Sequence, residues 1–582
     1  MRQETGIRRE LEAAPSGAAG ASLRPAVDWH SINWKRANRN VRRLQRRIVQ
    51  AQQQSKKRKV RALQFILSRS FSARCLAVRR VTENSGKRTP GVDGQLLNTP
   101  EKKAQAVTNL NTEDYKPQPL KRVFIPKGDG LKEKKLRPLG IPTMQDRAAQ
   151  ALHLLALDPV AETTADPNSY GFRKARSVAD AIEQCFNALS RSNSAQWVLE
   201  GDIQNCFDEI SHEWLLTHIP MDRAILRKWL KAGFVEREVL YPTIAGAPQG
   251  GVISPVLMNL TLDGLESLLA KHFPERSGCL VNLVRFADDF IITGGTKRLL
   301  EEEVRPLTVE FLKERGVKLS ESKTRITHIE DGFDFLGKHI QKHGGKLITK
   351  PSRKNVQVFL AEIKATFREN LHTPVDKLLR QLNPKIHGWV MFHRSIVSKE
   401  IFSYVDYRIF RELEHWMIRR HPRKSYLWCC KKYLTQIGDK QYVLGGTYLD
   451  RRGKPHTIRL MKAADVPIKR HVKIRATANP YDPEWETYFE ERLALQMKDN
   501  LYGYDKLLKL WYDQNGRCPQ CGEKITRETG WHLHHRVWLV NGGDDSMANL
   551  ELMHPACHKQ LHARAEGTGS HSCCTASSEE GV

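Results

Sequence analysis

Trp197 to Ile203 reads as an apolar strand that ends in a carboxylate, Asp202. Leu283 to Phe286 and Phe290 to Thr293 read as two more strands joined at Ala287-Asp288-Asp289, a tight hairpin. A carboxylate inside an apolar strand is costly to bury unless it is paired or binds a metal. Side by side, these strands would bring two or three carboxylates to one point. A pair of Mg2+ ions needs that arrangement to hold the attacking and leaving oxygens of an in-line phosphoryl displacement. The competing reading is a turn that carries Asp for backbone reasons, and the surroundings of the turn decide between the two.

At 582 residues the chain suggests about four domains of ~150 residues each. Lys and Arg number 94 against 65 Asp and Glu, a formal net charge of +29, so a polyanion is the natural partner. The 40% hydrophobic content excludes a wholly disordered chain. No apolar run approaches the ~20 residues that cross a bilayer, so no membrane partner is expected. The N-terminus has no apolar signal core, and Glu4, Glu10 and Glu12 argue against a transit peptide. Cysteines scattered at 75, 185, 206, 279, 429 and 430 read as thiols in a reducing compartment, the cytoplasm. Residues 1–26 read as a flexible arm. A helical pattern from Trp34 to Ala62 carries Arg42, Arg43, Arg46 and Arg47 among other cations with no acidic residue between them, which points to a phosphate partner.

Four motifs follow one another: Asp202-Ile-Gln-Asn-Cys-Phe207, Ala247-Pro-Gln-Gly-Gly-Val-Ile-Ser-Pro255, Phe286-Ala-Asp-Asp289 and Phe333-Asp-Phe-Leu-Gly337. Their order and spacing resemble the palm of a reverse transcriptase over roughly residues 110–345. With the downstream segments, the chain is similar to bacterial group II intron-encoded reverse transcriptase/maturases. The resemblance implies that Asp202, Asp288 and Asp289 form a polymerase site for two Mg2+ ions. It implies that Phe207 clashes with a ribose 2′-hydroxyl, and that Gln249 and Gly250 pack along template and incoming nucleotide. Lys127 and Arg137 match cations that hold the triphosphate, and Lys323 matches a lysine near the nucleotide. The hairpin has Phe286 where the family more often has Tyr, which leaves the metal ligands intact.

From about Arg353 to Tyr433 the pattern is helical, with cations and aromatics interleaved, and a linker-like stretch follows. An ordinary basic bundle is one reading. The stretch with Arg420, Arg423, Lys424 and Trp428 also resembles the family's thumb, or maturase, region, which binds intron RNA. Further on, Cys518-Pro-Gln-Cys521 and His554-Pro-Ala-Cys557 form two knuckles at the spacing of a tetrahedral Zn2+ site. Between and after them stand His534-His535, Asn549, and His558 and His562, the last two on one helical face. The alternative is a structural zinc ribbon alone; the pattern resembles an HNH nuclease. On that resemblance His535 is the general base, Asn549 positions it, and His534, His558 and His562 ligate a divalent ion such as Mg2+ or Mn2+.

The implied fold is multidomain α+β: a right-hand polymerase with fingers, a palm on an antiparallel sheet and a helical thumb, then a zinc-containing ββα-metal HNH domain. The expected divisions are an arm to 26, a basic extension with fingers (27–195), palm (196–345), thumb/maturase (346–470), DNA-binding linker (471–504), HNH domain (505–565) and a disordered tail (566–582). The implied activity is RNA-directed DNA synthesis, splicing support and DNA nicking for target-primed reverse transcription. Its partners would be intron RNA in a ribonucleoprotein, double-stranded target DNA and dNTPs. A splicing cofactor with decayed sites, and a retron or diversity-generating enzyme, are the alternatives.

Overall fold

The computed structural model describes residues 27–110, 115–126, 136–247, 249–274, 278–437, 440–449, 455–538 and 541–567. Lys127, most of the tail and the arm at 1–26 lie outside them. The helical pattern at 34–62 belongs to two helices, α1 (Trp34–Gln53) and α2 (Lys57–Arg69), because Ser55 takes a left-handed φ of 55° and turns the chain between them. Asn33 caps α1 by accepting a hydrogen bond from the Arg36 amide. With α3 (Phe71–Glu83) these helices lay their apolar faces on α5 (Met144–Thr164), while α4 (Pro100–Asn109) packs on α3. Helix α5 is buried on almost every side, which suits its alanine-rich sequence, since small side chains let neighbouring helices approach from several directions.

The fingers sheet orders β2 (Leu136–Ile141), β1 (Leu120–Pro126), β4 (Phe234–Glu236) and β5 (Val239–Tyr241). In the palm, β3 (Trp197–Gln204) lies between β7 (Asp289–Gly294) on one side and β8 (Lys318–Leu319) with β9 (Arg325–His328) on the other, and β6 (Leu283–Phe286) pairs with the far edge of β7. Gly201 makes the β3–β7 contact possible: a Cβ there would lie 2.3 Å from the Phe290 ring. Helix α6 (Val178–Leu189) backs this sheet. A hairpin sheet, β10 (Phe333–Phe335), β11 (Lys338–His343) and β12 (Lys346–Pro351), then leads into helices Arg353–Glu369, Val375–His393, Lys399–Arg420 and Tyr426–Tyr433, which enclose a separate apolar core.

One expectation needs correcting. The stretch after Tyr433 is not a linker but an antiparallel sheet of β13 (Leu434–Ile437), β14 (Lys440–Leu449) and β15 (Pro455–Arg459), whose Leu434 and Leu444 complete the thumb core. The segment from His471 onward packs in part on the palm. Ile474, Ala478 and Phe489 are buried with the palm, and Arg492 and His471 reach Asp180 of α6 at 2.6 and 2.9 Å. The C-terminal module pairs β16 (His532–His535) with β17 (Leu550–Met553) and adds the helix Pro555–Gly567, a ββα unit. Among the described residues no helix is long and apolar enough to cross a membrane.

Candidate functional site

Asp202 and Asp289 are direct partners in the β3–β7 ladder, and Asp288 occupies the turn before β7, where Ala287 adopts a left-handed φ of 61°. Neighbours across an antiparallel pair have Cα atoms only ~5 Å apart, so three acidic side chains share one small volume. Burial, together with the charges of Asp288 and Asp202, pushes the Asp289 carboxyl up to about 7. Burial and Asp202 also raise Asp288, with Arg137 and Lys323 opposing. Like charges held this close disfavour one another until a cation joins them. Carboxylate oxygens are the donors that hard divalent ions such as Mg2+ take, so the set fits a metal.

Lys323 donates to Asp202 at 2.8 Å, so its ammonium sits on the carboxylate cluster itself. Phe207 is half-buried just beyond β3, and its carbonyl accepts the Ala247 amide at 2.7 Å, tying the ring's segment to the loop at 247–251. Within that loop Gly250 has a φ of 109° and rests on β2: a Cβ there would meet the Gly140 carbonyl at 2.7 Å, and the Gly140 amide donates to the Gln249 carbonyl. Thus Arg137 on β2, Gln249, Gly250 and Phe207 belong to one connected wall beside the carboxylates. A cavity of about 1150 Å³ opens between palm and thumb, bordered by Glu200 of β3 and by Arg325, Lys350, Arg353, Lys364 and Arg408. No local sequence pattern marks these residues, because only tertiary folding brings strands and thumb helices together.

In the C-terminal module the donor atoms of Cys518, Cys521, His554 and Cys557 are buried and lie within 4.8 Å of one another. That fits a tetrahedron with arms of about 2.0–2.3 Å. The far nitrogen of His554 contacts the Lys524 carbonyl at 3.1 Å, which fixes its proton there and frees Nδ1, 3.2 Å from the Cys521 sulfur, for a metal. His534, His558 and His562 form a second cluster of the same compactness. Burial and the neighbouring imidazoles lower His534 to about 4 and His558 to about 3, keeping both rings neutral, the form that ligates.

The His535 ring meets Asp545 at 2.8 Å. Asn549 bonds the segment that carries that ring, its carbonyl accepting the Arg536 amide at 2.8 Å. Its side chain accepts from the Val537 amide and donates to the carbonyls of Val537 and Asp544, so it clamps the loop that carries Asp545. Asp545 gives no signal of its own in the sequence, because Asn541-Gly-Gly-Asp-Asp545 reads as an ordinary turn.

The expected RNA-contacting residues divide. Arg42 pairs with Glu523 at 2.6 Å and Arg46 with Glu486 at 2.7 Å, so the counter-charge missing from α1 comes from the C-terminal third of the chain. Arg43 and Arg47 face outward, with no ion pair among the described residues. Arg420 donates to the Thr373 carbonyl at 2.7 Å and holds the thumb together. Arg423 is exposed, and Lys424 lies 5.5 Å over the partly exposed ring of Trp428.

Paired strands bearing three carboxylates, together with a Cys/His ββα module, define a metal-dependent nucleic-acid polymerase joined to a metal-dependent nuclease. Family models match in the same order: "N-terminal domain of reverse transcriptase" over 29–110, "Reverse transcriptase (RNA-dependent DNA polymerase)" over 125–340, "Group II intron, maturase-specific domain" over 356–434 and "HNH endonuclease" over 518–564. Protein YkfC of Escherichia coli is 32% identical over 348 residues, 52% of this chain and 87% of that protein. Group II intron-encoded protein LtrA of Lactococcus lactis is 27% identical over 399 residues, 56% of this chain and 64% of LtrA. The putative COX1/OXI3 intron 2 protein of Saccharomyces cerevisiae is 24% identical over 515 residues, 75% of this chain and 57% of that protein. The matches therefore span just under two thirds of LtrA and somewhat over half of the yeast protein. The chain belongs to the family of group II intron-encoded reverse transcriptases and maturases with a C-terminal HNH domain.

Proposed function

We propose that this protein copies RNA into DNA, helps its own intron RNA to splice, and nicks double-stranded DNA to expose the 3′-hydroxyl that primes the copying. The observation that carries this reading is the convergence of Asp202, Asp288 and Asp289 beside Arg137 and Lys323, in a chain that also bears the His534/His535/His558/His562 cluster. Asp202, Asp288 and Asp289 would hold two Mg2+ ions. When bound, these ions neutralise charge on the phosphate and the displaced oxygen.

The chain's own residues do the rest. Arg137 offers charge-assisted hydrogen bonds to the triphosphate. Lys323 neutralises Asp202 before nucleotide arrives, and its exposed ammonium is free to move to a phosphate. Phe207 walls the sugar's 2′ position, so a deoxyribose is accepted. In the nuclease, His535 takes a proton from water, with Asp545 holding the ring in place. His534, His558 and His562 hold the divalent ion, Mg2+ or Mn2+, and Cys518, Cys521, His554 and Cys557 hold Zn2+ as a fold-forming site. Arg43, Arg47, Arg423, Lys424 and Trp428 contribute to RNA binding by phosphate neutralisation and stacking. A cytoplasmic, reducing setting suits the buried free thiols of Cys75, Cys185, Cys206 and Cys429.

The test is dNTP incorporation on a primed RNA template with Mg2+, wild type against Asp288→Ala. Incorporation by the wild type that vanishes in the variant supports the reading. An inactive but folded wild type would leave a splicing cofactor with decayed sites.

A further inference from the structure

The strand that leads into the acidic turn carries a buried cation. In β6, Leu283-Val-Arg-Phe286, every residue but Arg285 is apolar, yet Arg285 is only 1% exposed. Taking a guanidinium out of water is costly, and an apolar side chain of similar size would fill a core as well. Its contacts lead towards the turn. Nη2 forms an ion pair with Asp263, the residue directly after the helix Ser254–Leu262. Nη1 donates to Asn259 Oδ1 of that helix at 3.3 Å and reaches the Ala287 carbonyl at 3.5 Å. That carbonyl belongs to the peptide unit that enters Asp288. A second route ends at the same place. Asn259 Nδ2 donates to the Gly171 carbonyl at 2.9 Å, and a Cβ on Gly171 would lie 2.3 Å from the Ala287 amide nitrogen. The segment before Gly171 is tied to the strand: the Arg285 amide donates to the Asn168 carbonyl at 3.0 Å, and the Tyr170 amide to the Arg285 carbonyl at 2.9 Å.

Two forces act to relax this turn. Ala287 holds a left-handed φ of 61°, which its Cβ disfavours. Asp202, Asp288 and Asp289 also repel one another across the small volume they share. We propose that Arg285, anchored by Asp263 and Asn259, is a positioning residue of the polymerase site: it braces the Ala287 peptide, so that Asp288 and Asp289 stay aimed with Asp202 at one metal position. Arg285 acts through the backbone of the turn rather than on metal or nucleotide. Carboxylates already held together need not be ordered at the moment an ion binds, so the brace is read as metal affinity. The inference rests on Asp202, Asp288 and Asp289 being the Mg2+ ligands, and the experiment separates the two.

The variant is full-length protein carrying both Arg285→Met and Asp263→Leu, which removes the two charges together and leaves no lone ion in the core. Three quantities are read: the melting temperature, the Mg2+ concentration that half-saturates primer extension, and backbone cutting by Fe2+ with ascorbate and peroxide. Fe2+ in a Mg2+ site cuts the chain beside it, so fragments ending near residues 202 and 288 report the palm, and fragments ending near 534–562 report the nuclease module. The double variant should melt close to wild type, which a purely structural role predicts as well. It should also need roughly ten- to a hundredfold more Mg2+, and at limiting Fe2+ should lose the palm cuts while keeping those in the nuclease module, which a purely structural role does not predict. Asn259→Leu keeps the ion pair but breaks the link to Gly171; it should raise the Mg2+ requirement several-fold, and it decides the matter if the double variant does not fold. A folded variant with the wild-type Mg2+ requirement and wild-type palm cuts would overturn the role of Arg285, whereas wild-type protein without palm cuts would overturn the carboxylate site itself.

Discussion

Phe207 and Asp545 show how differently two residues of a candidate site can announce themselves. Phe207 stands at a fixed distance from Asp202 in a motif, and the ring lies on the wall beside the carboxylates. Its truncation opens the 2′ side of the sugar without touching a metal ligand, so Phe207→Ala should raise ribonucleotide incorporation relative to deoxyribonucleotide by roughly 10–200-fold, the range a steric pocket supplies. Competing single-nucleotide incorporation reads that ratio, and an unchanged ratio removes the role given to the ring. Asp545 carries no local signature, because its partner His535 stands ten residues away across a loop held by Asn549. His535→Ala should lower DNA nicking by about 10²–10⁴-fold, the contribution typical of a general base. Asp545→Asn should cost less, because the ring keeps a hydrogen bond but loses its anionic partner. Supercoiled-plasmid nicking by the two variants reads both losses, and equal losses would remove the separate role given to Asp545.

At the scale of elements, the palm strands were legible because apolar residues with turn signals at both ends leave little choice, and the Asp202–Asp289 pairing follows once those strands are neighbours. The knuckles were legible from spacing alone. The sheet of β13–β15 was not, since Gly445-Gly446 and the surrounding basic and polar residues carry the composition of a loop. The strap at 471–492 was hidden for another reason: its partners lie some three hundred positions earlier, and no local pattern records that Arg492 will meet Asp180. That contact has a pH signature. Burial alone would raise the Asp180 carboxyl, but hydrogen bonding from His471, the Arg492 charge and the Ile474 amide overcome it and hold the group down at about 2. A carboxyl lowered on folding adds stability above its unfolded value near ~3.9, and loses it as pH falls from about 4 through 2. The group is fully enclosed, and the shift corresponds to roughly 2 kcal/mol. Asp180→Asn should therefore flatten the acid limb of the stability curve and destabilise the protein by about 3–5 kcal/mol at neutral pH, where Arg492 is left buried without its partner. Urea unfolding at several pH values measures both effects.

For the molecule as a whole, the chain order conceals the contact order. The described N-terminus packs against the last helix, and the strap ties the segment after the thumb back to the palm. Removing C-terminal pieces therefore tests architecture as well as activity. A chain ending at residue 504 keeps the strap and all three aspartates but uncovers Trp29, Ile32 and the buried face of α3 where the nuclease sat. Each apolar side chain returned to water costs up to about 1.5–3 kcal/mol, less where Trp34 and α4 still shield it. This truncation should copy RNA at near wild-type rate at low temperature, make no nicks, and melt several degrees earlier. A chain ending at residue 470 loses Ile474, Ala478, Phe489 and Arg492 as well, leaving Asp180 as a buried carboxylate without its cation and the back of the palm exposed. It should fail to fold cooperatively and should copy nothing, although every residue of the carboxylate cluster is present. Thermal unfolding and primer extension on the two truncations provide the comparison: equal behaviour would mean that the strap is passive, whereas loss confined to the shorter chain would make it part of the polymerase itself.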